Sequence, residues 1–313
     1  MGYNVNYEYE EQSVSIEQKE QFHPAGEGLL VRAPAKINLS LLVDGLRPDG
    51  YHEIETIMAK VTLFDELLIE PDTTKGIELV CKGPCHAPEG ADNLVYKAAA
   101  AALGAMGTTA AIKITLTKNI PAGAGLGGAS SDAAATLLGV NKFGKLGLTG
   151  ETLRELAASL GSDVPFFLGG PLALCQGRGE KITKLEQNFD FIAVLLLPDV
   201  SVSTKTIYEA YRESKVEYES LHDRIKTLLG ENRIDLITRM CANMLSKSCF
   251  SLYGSLAELK GKAEEAVLAP VCLTGSGAGM YCIVANAASA GWCKKRIEQE
   301  IGCKTVIVSN NRW

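Results

Sequence analysis

The run KITLTKNIPAGAGLGGASSDAAATLL, from Lys113 to Leu138, admits few folds, because it reads as strand, glycine-rich turn and helix in immediate succession. Ile112, Ile114 and Leu116 alternate with Lys113, Thr115 and Thr117, the two-residue period of a half-buried strand. Pro121 and the glycines at 123, 125, 127 and 128 then interrupt regular structure. Ser130, Ser131 and Asp132 are helix-capping residue types, and Ala133, Leu137 and Leu138 supply an apolar face behind them, so the helix is expected to open there. A helix start leaves four N–H groups without intrahelical partners and carries roughly half a positive charge. Glycines let the preceding backbone approach an anion with no Cβ in the way. The junction is therefore expected to cradle phosphate.

Gly123, Gly125 and Gly128 match G-x-G-x-x-G, but a dinucleotide site also needs an acidic residue about 20 positions on, at the end of a second strand. That region is GLTGETLRELAASL, where Leu153, Leu156, Ala157 and Leu160 give helical spacing. A P-loop is excluded because no lysine follows the last glycine. The protein-kinase triplets H-R-D and D-F-G are absent as well. The remaining plain alternative is a tight glycine connection with no ligand. The run Pro121-Ala122-Gly123-Ala124-Gly125-Leu126-Gly127-Gly128-Ala129-Ser130-Ser131 resembles the nucleotide motif of the galactokinase, homoserine kinase, mevalonate kinase and phosphomevalonate kinase (GHMP) superfamily. The resemblance implies that this run holds the phosphates of ATP, with Mg²⁺ as companion and Ser131 as its candidate protein ligand.

A chain of 313 residues suits two domains, and nearly half of it is hydrophobic. The formal net charge of −6 argues against a broad nucleic-acid-binding face. Nine scattered cysteines without a C-x-x-C pair predict buried free thiols in a reducing cytoplasm. Cys81, Cys85 and His86 cluster, yet three candidate ligands in a Gly/Pro loop make a poor zinc site. Residues 1–27 are acidic, with neither the basic start nor the apolar segment of a signal peptide, and are expected to be a mobile extension. No apolar run reaches the roughly 18 residues that span a bilayer.

Leu29 to Val43 reads as a long or bent strand with Ala35, Ile37, Leu39 and Leu41 on one face and Lys36, Asn38 and Ser40 on the other. A turn, Arg47-Pro48-Asp49-Gly50, delivers Tyr51 and His52. Taken whole, APAKINLSLLVDGLRPDGYHE resembles the first signature of the 4-diphosphocytidyl-2-C-methylerythritol kinases, a family within that superfamily. The resemblance puts Lys36 and Asn38 in the catalytic centre, and Tyr51 and His52 at the cytidine end of the substrate. By the same resemblance Asn93 and Lys118 border adenine, although Asn93 read alone could simply cap the following helix. S-D-V-P-F-F followed by G-R-G-E resembles the third signature, which sets Asp163 beside Lys36. Among apolar neighbours a carboxylate needs such a partner. Tyr208 falls where the family has an aromatic that sandwiches cytosine against Tyr51. Ile237, Met240, Cys241 and Met244 predict a helix face. A second glycine loop, T-G-S-G-A-G at 274–279, matches a family motif except that Ala278-Gly279 stand where relatives usually have Pro-Thr.

The implied fold is α+β: the two-domain GHMP kinase fold, whose nucleotide domain is of the kind named after a small-subunit ribosomal protein, followed by a ferredoxin-like domain. The corresponding division is 28–185 and 186–313. The implied activity is ATP-dependent phosphorylation of the 2-hydroxyl of 4-diphosphocytidyl-2-C-methyl-D-erythritol, with Asp163 as base or orienter and Lys36 as its cation. Rival readings are another GHMP small-molecule kinase of homoserine or mevalonate type, or a non-catalytic nucleotide-binding regulator on the same fold. Nothing in the sequence fixes the oligomeric state.

Overall fold

The computed structural model describes residues 18–74, 76–108, 110–186 and 189–313. The expectation of a mobile extension falls mainly on residues 1–17, which lie outside the described residues. Its end is ordered, which corrects the reading of 1–27: Phe22–Ala25 forms strand β1, paired antiparallel with the start of β2 (Gly28–Leu46).

Strand β2 and its antiparallel partner β3 (His52–Pro71) are the spine of the first unit. Both run far beyond the usual five or six residues because bulges at Pro34/Ala35, Asn38/Ser40 and Val43/Gly45 bend the pair. The first half of β3 pairs with β6 (Leu172–Gly177), which in turn pairs with β7 (Lys181–Lys184). Its second half pairs with β5 (Ile112–Thr117), which lies parallel to β4 (Ile77–Lys82). The predicted alternation of β5 holds: Ile112, Ile114 and Leu116 are buried, and the residues between them half-buried. Helices α1 (Leu94–Ala105), α2 (Gly128–Phe143), α3 (Gly150–Leu160) and α4 (Val164–Leu168) supply apolar faces that share one core with this sheet.

The second unit is built on an antiparallel sheet in the order β11-β8-β10-β9, from β8 (Ile192–Leu197), β9 (Cys272–Leu273), β10 (Met280–Val284) and β11 (Lys304–Ser309). Numbered within the unit this is order 4-1-3-2, the expected ferredoxin-like arrangement. Helices α5 (Thr204–Ala210), α6 (Lys215–Gly230), α7 (Ile234–Ile237), α8 (Ser246–Leu252) and α9 (Gly254–Val267) fill the first crossover, and α10 (Ala287–Arg296) the second. Ala35, Ile37, Leu39 and Leu41 of β2 share a core with β8, β9 and β10, so the two units are welded by the face that the strand pattern reserved for burial. Ser40 leaves the predicted polar face. The bulge at Leu39 breaks the alternation, and the Ser40 hydroxyl accepts from the Ile57 N–H instead.

Two other expectations are corrected. The helix face through Ile237, Met240, Cys241 and Met244 is not continuous: α7 ends at Ile237, and Cys241 adopts a φ of 47°. The chain then runs beside β2, where the Leu41 N–H donates to Ala242 O and the Leu41 oxygen accepts from the Met244 N–H. That excursion brings Cys241 within 4.8 Å (Cα to Cα) of Cys272, and the two form a disulfide. The seven other cysteines are free, as expected, and five of them are buried. Among the described residues no helix is long and apolar enough to cross a membrane.

Lys60, in the middle of β3, is only 1% exposed. Its ammonium donates to the carbonyl oxygens of Phe167 (3.1 Å) and Gly169 (2.8 Å), and among the described residues no carboxylate lies within ion-pair distance of it. Burial brings its pKa down from 10.5 to about 7. The unfolded chain therefore holds the more protons between about pH 7 and pH 10.5, so this group's contribution to stability rises with pH across that window and is lowest below it. In denaturant titrations the wild type is expected to gain on Lys60→Met by on the order of a few kcal/mol from about pH 6.5 to about pH 9.5. A difference that does not change with pH would refute the shift.

Candidate active site

A cavity of about 1200 Å³ opens between the units. Its walls bring together Lys36, Asn38, Tyr51, His52, Asn93, Lys118, the loop from Pro121 to Ser130, Asp163 and Tyr208. Ser131 is the exception among the residues singled out from sequence. Its hydroxyl is buried and has no hydrogen-bond partner among the described residues, and Ser131 is not part of the cavity wall, whereas Ser130 and Asp132 are.

The glycine loop folds as it does because Gly123, Gly125 and Gly127 all take φ of 69°, a conformation that side-chain-bearing residues rarely adopt. Gly127 is the N-cap of α2 and offers no side-chain cap. The helix thus opens at Gly128, three residues ahead of where the Ser-Ser-Asp cluster placed it, and its first N–H groups are left for an anion. Close packing adds a second requirement for glycine. A Cβ on Gly125 would lie 2.2 Å from the Thr274 carbonyl oxygen, and one on Gly127 would lie 2.9 Å from Phe167. The second glycine loop, whose shape the sequence left open, docks here. The Ala278 N–H donates to the Gly123 oxygen at 3.1 Å, and Gly275 and Ser276 join the cavity wall.

Lys36 and Asp163 face each other across this loop, with Nζ to Oδ2 at 3.8 Å. The Lys36 N–H donates to Leu126 O, tying the strand to the loop, and its ammonium donates to Asn38 Oδ1 at 2.7 Å. The Asn38 amide donates in turn to Thr56 Oγ1 at 2.8 Å, so both ends of this side chain are engaged. Asn38 acts on Lys36 first and borders the cavity second. Burial lowers the Lys36 pKa, with the Asp163 charge opposing it. Asp163 sits at the N-cap of α4 yet makes no side-chain cap bond. Its carboxylate is a third exposed, turned to the cavity and to Lys36.

Asn93 does both things the sequence allowed. Its oxygen accepts from the Val95 N–H at 2.9 Å as a cap, its amide donates to Pro88 O, and it lines the cavity. Lys118 also borders the cavity, but its ammonium is held between Asp65 and Asp132. Burial works to lower the Lys118 pKa, and the two carboxylates outweigh it and raise it. Burial, with Asp65 adding to it, pushes the Asp132 carboxyl well above the usual range despite Lys118. Asp65 was invisible from sequence as a site residue because its partner lies in a different strand-loop unit. Asp132 was read only as a cap.

At the far end Tyr51 is 53% exposed, and the Arg178 guanidinium lies over its ring at 5.0 Å. The Tyr208 ring is 5.1 Å from that of His52. Partial burial lowers the His52 pKa against the pull of Glu213. Arg178, unassigned from sequence although it sits inside the G-R-G-E run, is a cation on the cavity wall beside an exposed aromatic face.

An uncapped helix start, an ammonium–carboxylate pair beside it and aromatic side chains share one cavity, an arrangement that suits a small-molecule kinase of the GHMP class. The family model for the GHMP kinases N terminal domain matches residues 93–170, which span α1, the glycine loop and α4. A 4-diphosphocytidyl-2-C-methyl-D-erythritol kinase from Geobacillus is 36% identical over 82% of this chain and 88% of its own length. One from Geobacter metallireducens is 37% identical, covering 82% of this chain and 90% of its own. A crystal structure of 4-(cytidine 5'-diphospho)-2C-methyl-D-erythritol kinase superposes with a TM-score of 0.73 at 31% identity, over 91% of this chain and all of the other. Homoserine kinase from Cytophaga hutchinsonii reaches the same TM-score of 0.73 at 19% identity, a likeness of fold alone. The chain belongs to the 4-diphosphocytidyl-2-C-methyl-D-erythritol kinase family.

Proposed function

We propose that the chain transfers the γ-phosphoryl group of ATP to the 2-hydroxyl of 4-diphosphocytidyl-2-C-methyl-D-erythritol, a cytoplasmic step toward isopentenyl diphosphate. The observation that carries it is the Lys36–Asp163 pair at 3.8 Å, opening on the same cavity as the uncapped start of α2. Phosphoryl transfer leaves the protein little covalent work, so positioning and charge stabilisation do most of it. Asp163 orients the acceptor hydroxyl and takes its proton. Lys36, held by Asn38, faces that carboxylate and offsets charge on the transferring group. The N–H groups at Gly128 to Ser130 hold phosphate oxygens. Bound Mg²⁺ would supply charge neutralisation for the phosphates, and such an ion normally keeps several waters and takes few protein ligands. Ser130 fits it better than Ser131, because only the former lines the cavity.

Tyr51, His52 and Tyr208 receive the cytosine ring, with Arg178 beside them for the diphosphate. On this reading the units meet near 185/186, between β7 and β8, and the substrate bridges them. Coupled ADP release with a panel of acceptor alcohols tests the assignment. The cytidine substrate is expected to be preferred by far, and preference for homoserine or mevalonate would overturn it. No ADP release with any acceptor would favour the non-catalytic regulator. Tyr51→Ala is expected to raise KM for the cytidine substrate roughly 5- to 150-fold at little change in KM for ATP, since a stacked base is worth about 1–3 kcal/mol.

A further inference from the structure

Lys60 stands apart from the residues so far given a task. It lies at the centre of β3, away from the cavity wall, and no sequence pattern marks it. Its hydrogen bonds go to one place. Phe167 lies in the last turn of α4 and Gly169 is the residue that follows the helix, so the ammonium closes its C-terminal end, where a cation is favoured. Only five residues long, α4 has few bonds of its own to fix it. Its other end is Asp163.

We infer that Lys60 is a positioning residue for phosphoryl transfer: by holding the Phe167 and Gly169 carbonyls it fixes α4, and through α4 the Asp163 carboxylate against Lys36. The inference rests on the reading of Asp163 given above. The strand end of the tether is firm. The Lys60 N–H donates to Pro171 O at 2.8 Å, and its own oxygen accepts from the Asn311 N–H at 2.8 Å. At the helix end Phe167 lies close against Gly127, the N-cap of α2, while Asp163 is the end of α4 that has no side-chain cap bond of its own. A slip of α4 would carry the Asp163 carboxylate off its line to the acceptor hydroxyl, and misplacement by about 1 Å can lower turnover roughly 100-fold.

For fold stability alone the lysine is close to neutral, because its two carbonyl hydrogen bonds and the aromatic faces beside it offset the cost of burying an ammonium. Phe166 and Trp313 present aromatic faces at 6.0 and 5.8 Å from Nζ, and no counter-charge is within ion-pair reach among the described residues. A methionine would fill similar volume without an ammonium to desolvate, which offsets the loss of the donor to the two carbonyls. The two roles therefore predict different results. For Lys60→Met, kcat is expected to fall roughly 10- to 100-fold, with KM for ATP and for the cytidine substrate unchanged and the melting temperature near pH 7 unchanged or raised. Lys60→Gln, which keeps one N–H donor, is expected to recover part of kcat, and carries the same comparison should the methionine variant not fold.

Coupling is read in the Asp163→Asn background, where adding Lys60→Met should cost no further activity, since the tether then holds nothing that acts. Unchanged kcat, a loss that tracks falling thermal stability, or a fully additive loss in the double variant would each overturn the inference. Should Asp163→Asn by itself keep wild-type turnover, the role of Asp163 fails first, and that result is separate from any outcome at Lys60.

Discussion

Asp163→Asn is expected to lower kcat by roughly 10²–10⁴, the range for a positioned acid–base group, while KM for ATP changes little. The isosteric amide keeps the volume and the N-cap backbone of α4 but removes the charge that faces Lys36 across 3.8 Å. Lys36 is buried, and the loss of that charge removes the main force opposing its desolvation, so its pKa should fall further. The variant thus loses the proton acceptor and weakens the cation beside the transferring group. The folded state should survive, because the Asp163 side chain makes no cap bond and is a third exposed. Single-turnover rates separate this from slow product release. A variant with near wild-type chemistry in a single turnover would remove Asp163 from the mechanism.

The site was legible in the sequence to the extent that chemistry is local. The glycine run, the strand alternation of β5 and the polar positions Lys36 and Asn38 each follow from the period or backbone freedom of a short stretch. In the structure these stretches line one cavity. What could not be read depends on contacts between distant segments. The bulge at Leu39 is a property of the β2–β3 register, and it takes Ser40 off the polar face. The start of α2 moves to Gly128 because the preceding loop is held by the second glycine loop, whereas capping rules see only the serines. Lys118 lines the cavity, but its ion pair with Asp65 joins the residue after β5 to strand β3, a contact that no local pattern announces. The disulfide joins Cys241 to Cys272, and nothing in the intervening sequence announces that their segments meet. Helical spacing at Ile237 to Met244 misled because apolar side chains recur there to pack against β2 and the second sheet, in a segment without regular structure.

The interlocked loops carry the second large effect. Gly125→Ala is expected to destabilise the protein by about 3–5 kcal/mol and to reduce kcat/KM for ATP by at least about 100-fold. Two independent penalties combine at this residue. The backbone is in the left-handed region, where alanine is disfavoured by roughly 1 kcal/mol or more. The new methyl group would also lie 2.2 Å from the Thr274 carbonyl oxygen, a backbone atom that cannot swing away as a side chain would. Thr274 is itself anchored, its N–H to Gly279 O at 3.1 Å and its hydroxyl to Asn38 Oδ1 at 3.3 Å. Relief must then come from parting the two loops, which breaks the Ala278-to-Gly123 hydrogen bond and loosens Asn38, the group that holds Lys36. Gly123 is the control. It has the same φ of 69°, but a Cβ there would come no closer than 3.5 Å, to the Ser201 hydroxyl. Gly123→Ala should therefore show the conformational penalty alone, about 1–2 kcal/mol, with a much smaller loss for ATP. Equal effects at the two positions in thermal melts and ATP titrations would mean that backbone conformation, and not the contact between the loops, is what makes this cradle depend on glycine.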